Sequence, residues 1–174
     1  MFSWLLKKKK YPLNELGKYM YRFTVQKHSS KTLHYDFRLQ VGLVLKSWAV
    51  PHGPSLDPTE KRLAVEVDDH PLDYADFEGT IPEGQHGAGE VIVWDRGSYT
   101  LNSSRPFADQ YENGDIEFEL HGEKLKGTFR LLKMKWQGKH PKWLLIKKHD
   151  GHISGKDILS ERPESVISLK RLDK

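Results

Sequence analysis

His28-Ser29-Ser30-Lys31-Thr32-Leu33-His34-Tyr35-Asp36-Phe37-Arg38-Leu39 changes character halfway along. Its second half alternates with period two. Leu33, Tyr35, Phe37 and Leu39 point to one side, and His34, Asp36 and Arg38 to the other. Leu, Tyr and Phe suit a half-buried strand. Same-face neighbours on a strand lie about 7 Å apart, at a rise of about 3.3–3.4 Å per residue. Two metal-ligating side chains and a guanidinium therefore share one face. The polar Ser29–Thr32 segment can bend the chain and bring His28 back over that face. His28, His34 and Asp36 would then form a three-ligand set with positions left open for water and substrate. Arg38 would be placed to grip an anion bound there. A solvated strand carrying surface histidines has the same spacing, so the residues alone leave both readings open.

The chain has 174 residues, enough for one domain with a substantial core. Five Trp, seven Tyr and seven Phe argue against disorder. There is no cysteine, which excludes disulfides and thiolate zinc sites and fits a cytoplasmic location. Any metal must rest on histidines and carboxylates. The N-terminal MFSWLLKKKKYP places its charges after a short apolar run, the reverse of a secretory signal. No stretch approaches a membrane span. Residues 1–120 carry 14 Lys+Arg against 18 Asp+Glu, whereas residues 121–174 carry 14 against 6. A basic C-terminal third fits a polyanion such as nucleic acid, and equally a solvated lysine-rich surface.

Residues 1–21 read as a basic lead-in, with NELGKYMYR either a short helical turn or part of that lead-in, residues 22–150 as the main domain, and 151–174 as a polar tail packed on the domain or partly flexible. Strands are expected at Arg22–Lys27, Leu33–Leu39, Leu43–Pro51, Arg62–Val67, Glu90–Trp94, Ser98–Leu101, Asp115–Leu120, Thr128–Trp136 and Trp143–Lys148. Asp95-Arg96-Gly97 reads as a hairpin turn, and 102–113 as a loop or short helix. In Asp68-Asp69-His70-Pro71-Leu72-Asp73-Tyr74, a helical turn would bring His70 and Tyr74 to one side, although Asp and Pro there are also ordinary turn residues. Ile81–Gly89 is glycine-rich, but a strand follows it, so it is not a nucleotide-binding fingerprint. About eight strands at short spacing with few helices are most economically housed in a compact antiparallel β-barrel, which leaves no exposed edge.

The stretches FTVQKHSSKTLHYDFRL, LKSWAVPHGPSLDPTEKRLAVEVDDHPLDYADFEGTIPEGQHGAGEVIVWDRG and TFRLLKMK…WLLIKKHD resemble the 3′-phosphoesterase domain of bacterial DNA ligase D, over roughly residues 22–150. Without a ligase or polymerase module, the chain is similar to free-standing members. The resemblance implies a compact β-barrel and a manganese-dependent enzyme acting on 3′ ends of DNA or of RNA–DNA strands. Such an enzyme removes a terminal ribonucleoside to leave a 3′-phosphate, then the phosphate to leave a 3′-hydroxyl. It places metal ligands on His28, His34 and Asp36. Phosphate-contacting and catalytic positions fall on Gln26, Arg38, Arg62, Asp68, His70 and Tyr74. His52 stands where the family usually has Lys or Arg, which implies a pH-dependent phosphate contact. Residues 1–21 lack a clear match to the charged residues that precede the barrel in ligase-linked members. The resemblance therefore carries phosphatase activity further than ribonuclease activity.

Joined to the residue chemistry, this gives a definite expectation. Mn²⁺, or Co²⁺, Zn²⁺ or Cu²⁺, is held by the His/His/Asp set. Arg38 and Arg62 neutralise charge on the phosphoryl oxygens. His70 protonates the leaving oxygen or stabilises the in-line transition state, and Tyr74 donates a hydrogen bond. A separate DNA ligase or end-joining factor is the expected protein partner. The alternatives are a non-catalytic nucleic-acid-binding barrel serving as an adaptor for such a ligase, and a nuclease that cuts internally.

Overall fold

The computed structural model describes residues 11–172. The lysine run Lys7–Lys10 lies outside the described residues. Nine strands form: β1 (Tyr21–Ser29), β2 (Leu33–Val41), β3 (Val44–Val50), β4 (Arg62–Pro71), β5 (Gly79–Ile81), β6 (Gly89–Leu101), β7 (Asp115–Gly122), β8 (Lys126–Lys133) and β9 (Lys142–Lys147). Two short helices, α1 (Phe107–Glu112) and α2 (Ile158–Glu161), and a 3-10 turn at Leu72–Asp76 complete the described elements.

The strands pair in the order β1-β2-β3-β4-β9-β8-β7-β6, and β6 pairs back with β1. The result is a closed eight-stranded antiparallel barrel, as the short strands and frequent turns predict. Closure gives each of the eight ring strands a neighbour on both sides. The short β5 lies outside this ring, on β6. No helix of the described residues is long and apolar enough to cross a membrane.

Period-two alternation fills the interior. Phe23 and Val25 of β1, Tyr35, Phe37 and Leu39 of β2, Trp48 and Val50 of β3, and Phe118 and Phe129 of β7 and β8 form one core. Phe37 meets Phe118 at 5.8 Å, and Trp48 meets Trp143 edge-on at 5.9 Å. Burying such side chains stabilises the fold by about 1.5–3 kcal/mol each. The same alternation forces Gln26, His28, His34, Asp36 and Arg38 onto the outer face of the wall.

Three local expectations are corrected. First, Asp95-Arg96-Gly97 is not a turn: β6 runs straight through it. A Cβ on Gly97 would stand 2.1 Å from the His121 carbonyl oxygen, so the glycine serves a close strand approach. The buried Asp95 carboxylate instead accepts the backbone N–H groups of Glu123, Lys124 and Leu125, and so shapes the β7–β8 turn. Second, β4 continues through Asp68, Asp69 and His70 to Pro71, further than its apolar alternation suggests. Its inward face is Ala64 and Glu66, while Leu63, Val65 and Val67 are only half-buried. Glu66 is tolerated inside because it accepts from the Trp143 indole at 3.0 Å and the Tyr111 hydroxyl and pairs with Lys46 at 3.3 Å. Third, residues 13–19 close as a bridged turn on Asn14 rather than a helical one.

The tail packs on the barrel. The Trp94 indole donates to the Arg162 carbonyl at 2.7 Å, and Lys27 Nζ donates to the Leu172 carbonyl at 2.8 Å.

Candidate active site

The β1–β2 hairpin sets His28 directly opposite His34, and Gln26 opposite Asp36. Cross-strand partners share a face, so the bend at Ser30–Thr32 brings His28 over the His34–Asp36 face as its sequence predicts. One ligand atom from each of His28, His34 and Asp36 lies within 4.8 Å of the others. His28 Nδ1 and His34 Nε2 both face Asp36 Oδ2, at 3.5 and 3.3 Å.

The far side of each ring is anchored. His28 Nε2 donates to the Gly87 carbonyl at 2.7 Å, and His34 Nδ1 donates to the Thr32 carbonyl at 3.1 Å. This orients both rings: in the neutral ring the nitrogen turned to Asp36 carries the lone pair, and in the protonated ring the same nitrogen donates to Asp36. A metal-binding histidine needs that arrangement: one ring nitrogen is held by a carbonyl and the other is free to coordinate. The donor set therefore fits a first-row divalent cation.

The glycine-rich loop supplies the Gly87 carbonyl. Two successive turns, Gln85 onto Pro82 and Ala88 onto Gln85, carry the chain over His28. The loop then rejoins the wall at Gly89, where a Cβ would fall 1.9 Å from the Ser29 carbonyl oxygen. The glycines thus let a backbone segment lie flush on the histidine.

Arg38 is 3% exposed and held on every side. Its Nε donates to Gln26 Oε1 at 2.7 Å, Nη1 to Ser47 Oγ at 2.8 Å, and Nη2 lies 3.5 Å from Asp36 Oδ2. The Tyr74 ring centroid is 5.3 Å from the guanidinium carbon. Burial pushes the Asp36 carboxyl up, but the hydrogen bonds from His28 and His34 and the charge of Arg38 outweigh it. Asp36 ends well below the usual carboxylate range and is ionised. For His34, burial lowers the pKa, yet its hydrogen bond to Asp36 and that carboxylate's charge leave it raised.

His70 joins this group from β4. Its Nδ1 lies 3.1 Å from Arg38 Nη1 and 3.0 Å from the Asp68 carbonyl. A guanidinium only donates and a carbonyl only accepts, so Nδ1 serves one partner at a time. With Arg38 as partner the ring is neutral and its proton sits on Nε2. Burial, then the Arg38 charge, lower the His70 pKa and favour that state. The 3-10 turn after Pro71 brings Tyr74 beneath: its ring lies 5.0 Å from His70 and stacks on Phe77 at 4.9 Å. Burial raises the Tyr74 pKa, so its hydroxyl stays a donor.

Not every expected residue reaches the cluster. Gln26 is expected as a phosphate contact, but its amide is fully buried and fully used. Nε2 donates to the Tyr74 and Phe77 carbonyls at 2.9 and 3.1 Å, and Oε1 receives Arg38. It sets the guanidinium and ties the 3-10 turn to the wall. Asp68 offers His70 its carbonyl, while its side chain is exposed. Arg62 and His52 form a pair of their own, Arg62 Nη1 donating to the His52 carbonyl at 2.7 Å. The register Tyr35↔Val50 places that pair at the rim beside the start of β2. Ser47, Gly87 and the Thr32 carbonyl were not singled out. Ser47 could have been found as the outward residue opposite Arg38; the two carbonyls leave no mark in a sequence.

Gln26→Leu should leave the Arg38 Nε and the Phe77 carbonyl without the partner Gln26 supplies, while the Tyr74 carbonyl keeps the Phe77 N–H at 3.1 Å. We expect a loss of about 2–3 kcal/mol in urea unfolding. Any phosphate-processing activity should fall about 10–100-fold, as when the support behind a ligand is removed.

Fold and site together define a small closed β-barrel with a His/His/Asp cluster and a clamped guanidinium on its outer wall. Residues 26–133 match the family described as the DNA ligase D 3′-phosphoesterase domain, and the chain belongs to that family. It is 54% identical over 155 residues to the multifunctional non-homologous end joining protein LigD of Pseudomonas aeruginosa, covering 87% of this chain and 18% of that protein. It is 40% identical over 153 residues to the corresponding protein of Mycolicibacterium smegmatis, covering 85% and 18%. The Mycobacterium tuberculosis LigD is 42% identical over 111 residues, 64% of this chain and 14% of that protein. The chain thus spans less than a fifth of the length of these relatives.

Proposed function

We propose that this protein is a divalent-metal-dependent phosphoesterase that heals DNA 3′ ends for end joining. It removes a 3′-phosphate and, as a second activity, a 3′-terminal ribonucleoside, leaving a 3′-hydroxyl. The observation that carries the reading is the convergence of three ligand atoms within 4.8 Å, both imidazoles held from behind by carbonyls, beside a buried arginine. Family membership supports the phosphoester substrate.

His28, His34 and Asp36 would hold the cation, Mn²⁺ by preference, with Co²⁺, Zn²⁺ or Cu²⁺ accepted by the same donors. When bound, the cation supplies Lewis-acid polarisation of a phosphoryl oxygen and lowers the pKa of a water. Arg38 is pre-set to take charge on a neighbouring phosphoryl oxygen, and its burial strengthens that attraction. His70, neutral with its proton on Nε2, is poised to give a hydrogen bond to the leaving oxygen as charge develops there, while Arg38 holds Nδ1. Tyr74 contributes a hydroxyl donor. His52 and Arg62 at the rim meet the strand beyond the scissile group. The substrate is a DNA or RNA–DNA end in the cytoplasm, and a separate ligase or end-joining factor takes up the product.

The test is a primer–template with a 3′-phosphate, incubated with Mn²⁺ or with EDTA. A 3′-hydroxyl product only with metal supports the proposal; no product with any of the four cations overturns it. Internal cuts would instead indicate a nuclease.

His70→Gln should retain metal binding by calorimetry yet lower kcat about 100-fold or more, the usual worth of an aligned hydrogen-bond donor at a developing charge. Because burial and Arg38 depress the His70 pKa, the wild-type kcat/KM should rise as pH increases through a value below about 6.5 and then level off. The variant should lack that limb. Wild-type kcat in His70→Gln would remove the residue from the chemistry.

A further inference from the structure

Resting on the nucleic-acid reading above, we propose that the β8–β9 hairpin is a stacking platform for an unpaired base of the bound strand, with Trp136 as its surface. Trp136 is 52% exposed, whereas Trp48, Trp94 and Trp143 are fully buried. One face of its indole is covered by the Lys142 ammonium at 3.6 Å from the ring centroid. Its pyrrole edge is backed by Gly138, where an added Cβ would lie 2.2 Å from Nε1. The ring is thus held on one face and one edge while the residue stays half exposed, and Met134, 40% exposed, lies on the same hairpin. A free-swinging surface Trp would not be braced in this way.

Along the chain the charge beside it has one sign, and Asp115, opposite Leu132 on the neighbouring strand, is engaged by Arg130 at 2.7 Å. From Lys124 to His149 the sequence contains nine Lys and Arg and no acid. Lys133, Lys135, Lys139 and His140 are exposed on or beside the hairpin. An aromatic plane set among cations is what a single strand requires, because phosphates meet the charge while every base has a face to stack.

The register ties this platform to the site. Asp36 pairs with Ala49, Ala49 with Val65, and Val65 with Lys142, in one row across four strands. Alternation turns all four side chains to the outer wall. Three strand spacings of about 4.8 Å separate the rows' ends, so Lys142 lies about 14 Å along the surface from Asp36. Between them in this row, among the described residues, stand the small side chains of Ala49 and Val65. A strand whose 3′ end lies at the cluster can cross this low strip and set a base on Trp136.

The probe is fluorescein-labelled dT12 with a 3′-hydroxyl, compared with an abasic strand of equal phosphate count, by anisotropy in EDTA. Wild type should bind dT12 more tightly than the abasic strand. Trp136→Ala should weaken dT12 binding about 5–100-fold, the worth of one base stack, and leave the abasic strand unchanged. Trp136→Phe should restore most of the loss. With 3′-phosphorylated dT12 and Mn²⁺, Trp136→Ala should raise KM by a similar factor and leave kcat unaltered. Wild-type dT12 affinity in a folded Trp136→Ala variant, checked by circular dichroism, overturns the platform, as does an equal loss on both strands. A wild-type protein that separates the two strands in EDTA but releases no phosphate overturns the enzymatic reading and leaves the platform standing.

Discussion

Replacing His34 by Ala is expected to lower Mn²⁺-dependent release of a 3′-phosphate by roughly 1,000-fold or more. Removing even a group behind a ligand costs about 10–100-fold, and a ligand itself does more. The loss should appear together with loss of tight Mn²⁺ binding in calorimetry. The fold should survive, since the His34 side chain is 18% exposed and lies at the start of β2. A change in urea stability within about 1 kcal/mol is expected. Proton competition gives a second readout on the wild type. The His34 pKa is raised, chiefly by Asp36 acting against burial. A proton must leave that ring before it coordinates, so Mn²⁺ affinity should climb with pH and level off above the raised value. Undiminished turnover in His34→Ala would remove the basis for a His28–His34–Asp36 metal centre.

The largest effect on stability is expected from Asp95→Ala. Its carboxylate is fully buried and accepts three backbone N–H groups of the β7–β8 turn, at 3.0, 3.1 and 2.8 Å. An unpaired buried N–H costs about 1–3 kcal/mol, so the variant should lose about 3–6 kcal/mol. For a chain of this size that is a fall in Tm of the order of 10 °C. Burial pushes the Asp95 carboxyl up to about 6, against the pull of those N–H donors. A carboxyl raised in the folded state stabilises the fold fully below its ordinary value, and that contribution is lost as pH rises through about 6. Asp95→Asn should remove this slope, so its deficit relative to wild type should be smaller at pH 7 than at pH 5. A Tm for Asp95→Ala within 2 or so degrees of wild type, below the roughly 2–4 °C that a single kcal/mol would give, would show that the turn does not depend on this carboxylate.

Much was legible in the sequence because a strand repeats every two residues. Alternation in LHYDFRL placed His34, Asp36 and Arg38 on one face, and the polar bend after His28 gave the third donor its path. Many short strands with few helices pointed to a closed barrel for the same local reason. His70 and Tyr74 were separated by one helical step, and a 3-10 turn does bring their rings within 5.0 Å. Where local pattern misled, tertiary partners had overridden it. Gly97 signals a turn by composition, yet it marks close approach of β7; a carboxylate such as Glu66 belongs in water by its desolvation cost, yet Trp143, Tyr111 and Lys46 satisfy it inside.

By itself, the sequence determined which side chains share a face, because side-chain direction along a strand is fixed by covalent geometry. Only the tertiary structure decided what stands behind them. Gln26 lies under Arg38 rather than against a ligand, the Gly87 carbonyl orients the His28 ring, and Lys142 comes into one row with Asp36. These depend on the register of strands distant in the chain and on backbone carbonyls, which every residue carries alike, so no local pattern encodes them.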